Sequence, residues 1–447
     1  MQTVRPAAVA GAFYPGDAAR LAADLDEMFA GVDDFAPRFG IPKALVVPHA
    51  GYIYSGTTAA RAYDELRGAR DTIRRVVLLG PVHRVPVRGL AVPSAESFET
   101  PLGKVPLDLD AIRRLGDMPQ VVTSDPAHAM EHSLEVQLPF LQRVLGSFAL
   151  VPLAVGDAGV DEVARVLERL WGGSETLLVV STDLSHFHAY EQACGIDAAT
   201  ARRIESFATD IDHDEACGAT PLNGLLRVAR ARRLRVRRLG LCNSGDTAGG
   251  KGRVVGYASF ALDEPHAVDA DAAGAVLLGI ARDAIARRLG AAAGSPPDAP
   301  WLARPGASFV TLKIEGELRG CIGSLEAHRP LAADVAANAE AAAFRDPRFP
   351  ALTAADWPCC EIEVSLLSTP RPIAFADEDE LLECLRPGMD GLIIEHAGRR
   401  GTFLPQVWES LPDRRAFLNE LKRKAGIAAE TRITRCRLLR YRASKWR

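Results

Sequence analysis

The chain has 447 residues, roughly three times the length of a typical domain, so we expect more than one domain. Hydrophobic residues make up 48% of it and charged residues 25%, an ordinary globular composition that excludes a disordered or collagen-like protein. The 53 basic and 57 acidic side chains leave a formal net charge of −4. This balance excludes nucleic acid or a membrane surface as a partner of the whole chain.

The sequence shows no segment that addresses a protein to a membrane. No apolar run approaches the roughly 18 residues of a spanning helix, and residues 1–10 lack the apolar core of a signal peptide. We therefore expect a cytoplasmic protein with reduced thiols, because its eight cysteines are too scattered for a disulfide framework. Seven of the ten histidines lie between His49 and His213, which is the first functional clue.

Short apolar runs in the first part of the chain predict the strands of an α/β sheet. Helix-like segments separate them, as is typical of buried strands in such a sheet. The runs span residues 43–47, 75–79, 149–155, 176–180, 234–241 and 253–262. We expect these strands to form an α/β domain over residues 1–264.

An acidic stretch without periodicity, residues 262–271, separates this part from a different pattern. The second part mixes predicted strands with predicted helices in an order that indicates a smaller α+β domain over residues 272–447. The predicted helices span residues 272–289, 331–344 and 377–385, and the predicted strands span 308–314, 360–367 and a hairpin at 391–403.

Ligand-type side chains directly follow four of the predicted strands. They are His49, His83, the pair Asp183 and His186, and Cys242. Because ligands of open α/β sheets bind at the carboxyl ends of strands, these side chains are expected at one edge. Imidazole and thiolate bind transition metals, and Asp183 would act as a base or orient a ligand. The pattern favours a metal or catalytic cluster over histidines that make only local hydrogen bonds.

A second histidine pair, His128 and His132, has Glu131 between its members. Histidines at positions i and i+4 share one face of a helix, and the string fits the inverted zinc-protease motif H-x-x-E-H. One hypothesis is a zinc hydrolase centred on these residues. The other is a capped helix whose Glu131 and His132 face the pocket, with His132 joining Asp183 and His186 as a candidate catalytic group.

Five segments, in this order along residues 1–264, resemble the Memo family. The resemblance implies a fold related to the class III (LigB-like) extradiol dioxygenases. The segments are PHAGYIYSG (48–56), LLGPVH (78–83), EHSLEVQLPFLQ (131–142), STDLSH (181–186) and CNSGD (242–246).

The Memo resemblance also implies a metal pocket lined by His49, His83 and Cys242, with Asp183 and His186 beside it. Family members bind iron or copper. Extradiol ring cleavage would use two histidines and a carboxylate on Fe(II), whereas here Cys242 takes the third position. Copper chemistry or redox sensing is therefore an alternative to oxygen-dependent chemistry on a small-molecule substrate, and zinc is less favoured.

Five later segments resemble the AMMECR1 domain, over about residues 272–447. The chain would then be a fusion of proteins B and A of the AmmeMemoRadiSam system, which implies a radical SAM partner. A non-catalytic metal-binding or scaffold protein that works with this partner is the alternative to an enzyme. The segments are LRGCIG (318–323), FRDPRFPALT (344–353), EIEVSLLSTP (361–370), GMDGLII (388–394) and GTFLPQVW (401–408).

Cys321 lies between two glycines in the first of these segments. One hypothesis makes it a reactive thiol whose pKa Arg319 lowers, and the other a structural cysteine in a tight turn. Two segments are strongly basic, residues 227–238 with seven arginines and residues 422–447 with ten lysines and arginines. Arginines alternate with apolar residues at positions 233–237, and the second segment has only Tyr441 and Trp446 as aromatic residues, so solvent-facing side chains are favoured over a nucleic-acid surface.

Overall fold

The computed structural model describes residues 3–32, 39–265, 268 and 270–447. The chain divides into two compact units, Met1–Val32 with Ile41–Ala267 and Asp33–Gly40 with Val268–Arg447. The predicted linker, residues 262–271, includes positions 266, 267 and 269, which lie outside the described residues. None of the described helices is long and apolar enough to cross a membrane.

The first unit alternates strands and helices, as the sequence predicts. Its helices are α1 (Ala18–Ala30), α2 (Tyr52–Asp64), α3 (Leu109–Arg113), α4 (Asp125–Ala129), α5 (His132–Glu135), α6 (Leu138–Leu145), α7 (Val160–Leu170), α8 (Tyr190–Glu205) and α9 (Ala219–Ala231). Its strands are β1 (Val4–Arg5), β2 (Ala44–Val47), β3 (Arg75–Pro81), β4 (Leu90–Val92), β5 (Ser97–Thr100), β6 (Gly103–Pro106), β7 (Val121–Thr123), β8 (Ala149–Val155), β9 (Thr176–Ser181), β10 (His186–His188), β11 (Arg235–Asn243) and β12 (Val254–Asp263). Each of the six apolar runs coincides with one of these strands.

One large mixed sheet forms the centre of the first unit. Strands β2, β9, β3 and β8 lie side by side and parallel. Successive residues of β2 enter opposite hydrophobic clusters, Leu45 and Val47 on one face and Ala44 and Val46 on the other. Because helices cover both faces, these strands are apolar throughout and not alternating.

The order of the strands decides which side chains meet at the carboxyl edge. Strand β9 lies between β2 and β3, so the residues after these three strands are close neighbours. Strand β12 is antiparallel to β2, and β11 is antiparallel to β12. The carboxyl end of β11 therefore points to the same edge, but it is separated from β2 by two strand spacings, about 10 Å.

A buried ion pair holds the amino-terminal segment against α5. The carboxylate of Glu135, which is 0% exposed, accepts hydrogen bonds from the Arg5 guanidinium, from Ala8 N–H at 2.8 Å and from Tyr14 Oη at 2.6 Å. The Arg5 guanidinium also donates to the backbone carbonyl of Glu131 at 2.8 Å. The pair thereby ties β1 to the segment that leads into α5.

The second unit has α+β architecture. Its helices are α10 (Ala270–Arg288), α11 (Pro300–Ala303), α12 (Leu331–Phe344), α13 (Glu378–Cys384) and α14 (Arg414–Lys424). Its strands are β13 (Pro305–Gly306), β14 (Ser308–Ile314), β15 (Glu317–Gly323), β16 (Arg329–Pro330), β17 (Cys360–Leu367), β18 (Arg371–Pro372), β19 (Gly391–His396), β20 (Arg399–Phe403), β21 (Arg437–Tyr441) and β22 (Ala443–Trp446).

Two four-stranded sheets organise the second unit. One has the order β15-β14-β17-β22, and the other has the order β18-β21-β19-β20. Helices α10 and α12 pack on the first sheet, where Leu277, Val335 and Val310 share one hydrophobic cluster. Strands β15 and β20 are edge strands of their sheets.

Many charges of the two basic segments are paired with carboxylates. In residues 227–238, Arg237 contacts both Glu65 and Asp263. In residues 422–447, Lys445 and Arg447 both contact Glu363. These side chains stabilise the surface of their own unit, as expected for solvent-facing positions.

Replacing Glu135 with Gln is expected to destabilise the first unit by about 3 kcal/mol, because the Arg5 charge then stays buried without its partner. Hydrogen exchange of β2 and β3, measured by mass spectrometry, reports the stability of this unit separately. The control is Asp26→Asn, which breaks the exposed Asp26–Arg143 pair and should cost less than about 1 kcal/mol. Equal losses in the two variants would contradict the prediction.

Candidate functional site

Three histidines of the first unit come together at the carboxyl edge of its sheet. Each of His49, His83 and His132 offers one ring nitrogen, and these three atoms lie within 4.8 Å of one another. Imidazole nitrogens that share one ion at about 2.1 Å each are roughly 3.4 Å apart, so a small adjustment suffices. We call this group the three-histidine cluster.

The fold brings the three side chains from distant parts of the chain. His49 follows β2, His83 follows β3, and His132 is the first residue of α5. Helix α5 approaches β3 closely because Gly80 has no side chain; a Cβ there would lie 2.7 Å from Ser133 Oγ. The Ser133 hydroxyl donates to the Pro81 carbonyl at 2.8 Å and fixes this contact.

The hydrogen bonds around Ser181 decide which nitrogen of His49 carries the proton. Ser181 Oγ donates its one hydrogen to the carbonyl of Ser133 at 2.7 Å. It must therefore accept from the Gln137 side chain and from His49 Nδ1, each at 2.9 Å. His49 Nδ1 is thus protonated, so Nε2 carries the lone pair that would bind a metal in place of its contact with Cys217 Sγ at 3.3 Å.

Glu131 joins the other two histidines. Its carboxylate accepts from the backbone N–H of His83 at 2.7 Å, from His83 Nδ1 at 2.9 Å, and from the N–H groups of His132 and Ser133, each at 2.9 Å. Burial opposes its ionisation, but these hydrogen bonds outweigh burial and lower the pKa of Glu131 to about 2. The carboxylate therefore holds a proton on His83 Nδ1 and leaves Nε2 free.

His132 has a buried nitrogen that makes no hydrogen bond. Its Nδ1 lies 3.2 Å from Glu131 Oε1, in an orientation that is not a hydrogen bond, and no other described residue bonds to it. An orphaned imidazole nitrogen costs free energy unless it finds a partner such as a metal ion. The residues present therefore fit a transition metal.

The site favours neutral imidazoles. Burial, with a further contribution from the other histidines, lowers the pKa of His49 well below its usual range. Burial also lowers the pKa of His132 to about 4. The rings of these two residues are neutral at pH 7, which is the form that ligates metals.

Asp183 and His186, the candidate catalytic residues after β9, flank the cluster without belonging to it. Asp183 accepts the backbone N–H of His49 at 2.7 Å, and burial raises the pKa of its carboxyl to about 7. His186 starts β10, where burial lowers the pKa of its ring. Asp183 thus positions the main chain of a candidate ligand.

The structure does not bring Cys242, predicted as the third ligand, into the three-histidine cluster. Its Sγ lies 3.0 Å from Thr58 Oγ1 of α2, and β12 separates its strand from β2. The strand-end pattern predicts that Cys242 lies at the carboxyl edge, but a local pattern does not show that β12 lies between β2 and β11. His132 is the third member of the group that the structure assembles.

Cys217 lies beside the cluster and was not singled out in the sequence. Its Sγ is 3.3 Å from His49 Nε2 and accepts the backbone N–H of Asp183 at 3.3 Å. Burial raises the pKa of this thiol to about 12, so it is protonated at neutral pH. It precedes α9 and follows no strand, so no pattern in the sequence marks it.

The single helix predicted through His128 and His132 is wrong. Helix α4 ends at Ala129, and Glu131 is the N-cap of the separate helix α5. His128 is buried, and its Nε2 donates to the carbonyl of Ala91 at 2.9 Å. The two histidines therefore do not share a helical face, and the H-x-x-E-H string does not form the zinc-protease arrangement.

In the second unit, the main chain of Cys321 is held by two charged side chains. Its N–H donates to Asp346 at 2.9 Å, and its carbonyl accepts from the Arg348 guanidinium at 3.0 Å. These groups occupy the open side of the edge strand β15, where a neighbouring strand would otherwise pair. Arg319, expected beside the thiol, instead donates to the carbonyl of Pro350 at 2.6 Å.

Each of the two units matches the model of a known protein family. Residues 5–261 match the family model described as Memo-like protein. The chain belongs to this family. Residues 278–446 match the AMMECR1 model, so the protein is a Memo–AMMECR1 fusion, and the prediction made from its motifs is confirmed.

Relatives of the first unit are found in distant prokaryotes. A MEMO1 family protein of Aquifex aeolicus is 36% identical over 269 residues, which cover 57% of this chain and 97% of that protein. A MEMO1 family protein of Aeropyrum pernix is 35% identical over 276 residues, 57% of this chain and 98% of that protein. These relatives therefore correspond to the first unit alone.

Two solved structures are similar to parts of the chain. The uncharacterized protein PH0010 from Pyrococcus horikoshii is 30% identical, with 38% of this chain and 89% of that chain covered and a TM-score of 0.34. The uncharacterized protein JW3007 from Escherichia coli is 16% identical, with 48% and 98% covered and a TM-score of 0.34. The relationship to the LigB-like dioxygenases stays a prediction.

Replacing Glu131 with Gln is expected to weaken metal binding by 10- to 100-fold, because an amide no longer holds His83 as a charged acceptor does. Equilibrium dialysis against a series of metal concentrations measures the change. The matched control is Glu168→Gln, an exposed position on α7. Equal affinity in wild type and Glu131→Gln would show that this carboxylate does not orient the cluster.

His128 is expected to make the first unit sensitive to acid. Burial lowers its pKa to about 4, whereas the unfolded chain takes up the proton near pH 6.5. Neutral His128 therefore contributes its full share to the stability of the first unit above pH 6.5, and this contribution is lost as the pH falls towards 4. Between pH 7 and pH 5 the wild type should lose about 2 kcal/mol more than His128→Asn, measured by hydrogen exchange of β4. Parallel losses would contradict this assignment.

Proposed function

We propose that the first unit binds one transition metal ion, iron or copper, at the three-histidine cluster and uses it for redox or oxygen-dependent chemistry on a small molecule. The observation that carries the proposal is the convergence of three histidine nitrogens within 4.8 Å. Outer hydrogen bonds hold the proton of His49 and of His83 on Nδ1, so their Nε2 atoms carry the lone pairs, and Nδ1 of His132 lacks a hydrogen bond.

The residues of the site have separate roles in this proposal. His49, His83 and His132 hold the ion through ring nitrogens, and Glu131 orients the ring of His83 through its Nδ1. A bound iron or copper ion would supply redox chemistry and an open position for substrate. Asp183, with a pKa of about 7, is able to accept or release a proton near neutral pH.

Accessibility supports a substrate role over a purely structural ion. His83 is exposed, whereas His49 is buried, so one side of the cluster faces solvent. Structural metal sites are closed by four protein ligands, but catalytic sites keep a position open. A cluster of three histidines, one of which is exposed, corresponds to a catalytic site with an open position.

The rival proposal is a non-catalytic metal-binding protein that acts with a radical SAM enzyme. The fusion to an AMMECR1 domain favours it, because that domain carries no metal-ligand group among the described residues and could provide a docking surface. Both proposals require the same metal site. They differ in whether the isolated, metal-loaded protein turns over a substrate.

The metal assignment predicts how single substitutions alter metal content. After anaerobic purification, elemental analysis should find at least tenfold less metal in His49→Ala, His83→Ala and His132→Ala than in wild type, because each removes one ligand. His128→Ala is the matched control and should retain the metal. If Cys242→Ala loses the metal while His132→Ala retains it, the ligand set is His49, His83 and Cys242.

Oxygen uptake by the iron-loaded protein separates the enzyme from the binding protein. Uptake with members of a catechol panel that disappears in His83→Ala would support oxygen-dependent chemistry. A flat trace with every substrate, in protein that elemental analysis shows to be loaded, would favour the binding protein.

A further inference from the structure

The second unit contains a cavity of about 590 Å³ that neither family match explains. It lies between the end of edge strand β15 with the turn that follows, the hairpin of β19 and β20, and the end of α14. Its volume is within the range of about 300–1,000 Å³ that small-molecule sites occupy. We call it the edge cavity, and the residues used below are Leu325, Glu326, His328, Ile393, Arg400 and Lys424.

Part of the wall of the edge cavity is apolar. Ile393 of β19 is only 1% exposed and packs in a hydrophobic cluster with Leu439 and Tyr441. Leu325, in the turn after β15, is 40% exposed and so presents apolar surface at the cavity wall. A ligand with an apolar body would cover Leu325 and gain the free energy of removing that surface from water.

The charged part of the wall is mainly cationic. Arg400 and Lys424 line the cavity together with His328, and the carboxylate among the lining residues is Glu326. Lys424 Nζ donates to the carbonyl of Thr402 at 3.0 Å, which uses one of its three hydrogens. Arg400 has five N–H donors, so it also retains hydrogens for a ligand.

Glu326 occupies the place that a ligand anion would take. Its carboxylate contacts the Arg400 guanidinium from the turn after β15, and its side chain is 60% exposed. Exposed ion pairs contribute little stability, so replacing Glu326 on Arg400 by another anion costs little free energy. Glu395 contacts Arg400 at 3.3 Å from the same hairpin and keeps the guanidinium oriented during such an exchange.

We propose that the edge cavity binds a small molecule with an apolar body and one anionic group, a carboxylate or a phosphate. The anion replaces Glu326 on Arg400 and receives a hydrogen bond from Lys424, while the apolar body covers Leu325 beside the buried Ile393. This site is separate in sequence from the three-histidine cluster, and it does not depend on the metal.

Titration of the full-length protein with hexanoate and hexyl phosphate tests the proposal. The reporter is the δ1 methyl group of Ile393, followed by NMR in protein labelled at isoleucine methyl groups, and the two probes distinguish a carboxylate site from a phosphate site. We expect at least one probe to shift this methyl signal saturably. Hexylamine and inorganic phosphate, which lack the anion and the apolar body respectively, should bind at least tenfold more weakly.

Three substitutions make the test specific. Arg400→Gln and Lys424→Gln should each weaken probe binding about tenfold, because each removes a charged donor. Glu326→Gln should strengthen it by severalfold, because the internal competitor is gone. Arg415→Gln, whose side chain pairs with Glu378 and Asp379, is the matched control and should leave binding unchanged.

The sign of the Glu326→Gln effect separates a ligand site from a structural ion pair. Unchanged or weaker probe binding in this variant, in protein whose other isoleucine methyl signals are unshifted, would overturn the proposal. So would equal binding of hexylamine and hexanoate, or an Ile393 signal that does not move at millimolar concentrations of either anionic probe.

Discussion

The carboxylate of Glu131 connects two elements that are far apart in the sequence, the turn after β3 and the start of α5. It is buried and ionised because four hydrogen bonds, three from backbone N–H groups and one from an imidazole, replace the water that burial removes. One of its oxygens both caps α5 and holds His83. The orientation of two of the three histidines therefore depends on a single side chain.

Other buried polar groups hold this carboxylate in place. Arg5 donates to the carbonyl of Glu131 and pairs with Glu135 one turn further along α5. Ser181 and Gln137 perform the corresponding task for His49 on the opposite side of the cluster. These hydrogen bonds join segments that are far apart in the sequence. They therefore hold the three histidine rings in fixed positions at the open edge of the sheet.

The second unit uses charged side chains at its open strand edges. Asp346 and Arg348 satisfy the main chain of β15 at Cys321, and Lys424 satisfies the carbonyl of Thr402 on β20. Such contacts protect edge strands from pairing with other chains. The edge cavity lies between these two strand edges, and the remaining N–H donors of Arg400 and Lys424 are available there.

The sequence by itself determined six of the nine strands of the first unit's central sheet, the fusion of two families and the edge at which His49 and His83 lie. These follow from apolar runs and from motifs that are local in the chain. Only the tertiary structure decided that His132 joins them, that Cys242 stands beyond β12, and that His128 lies on a different helix. The order of strands and the capping of α5 by Glu131 depend on contacts between residues tens of positions apart, and a local pattern carries no information about those contacts.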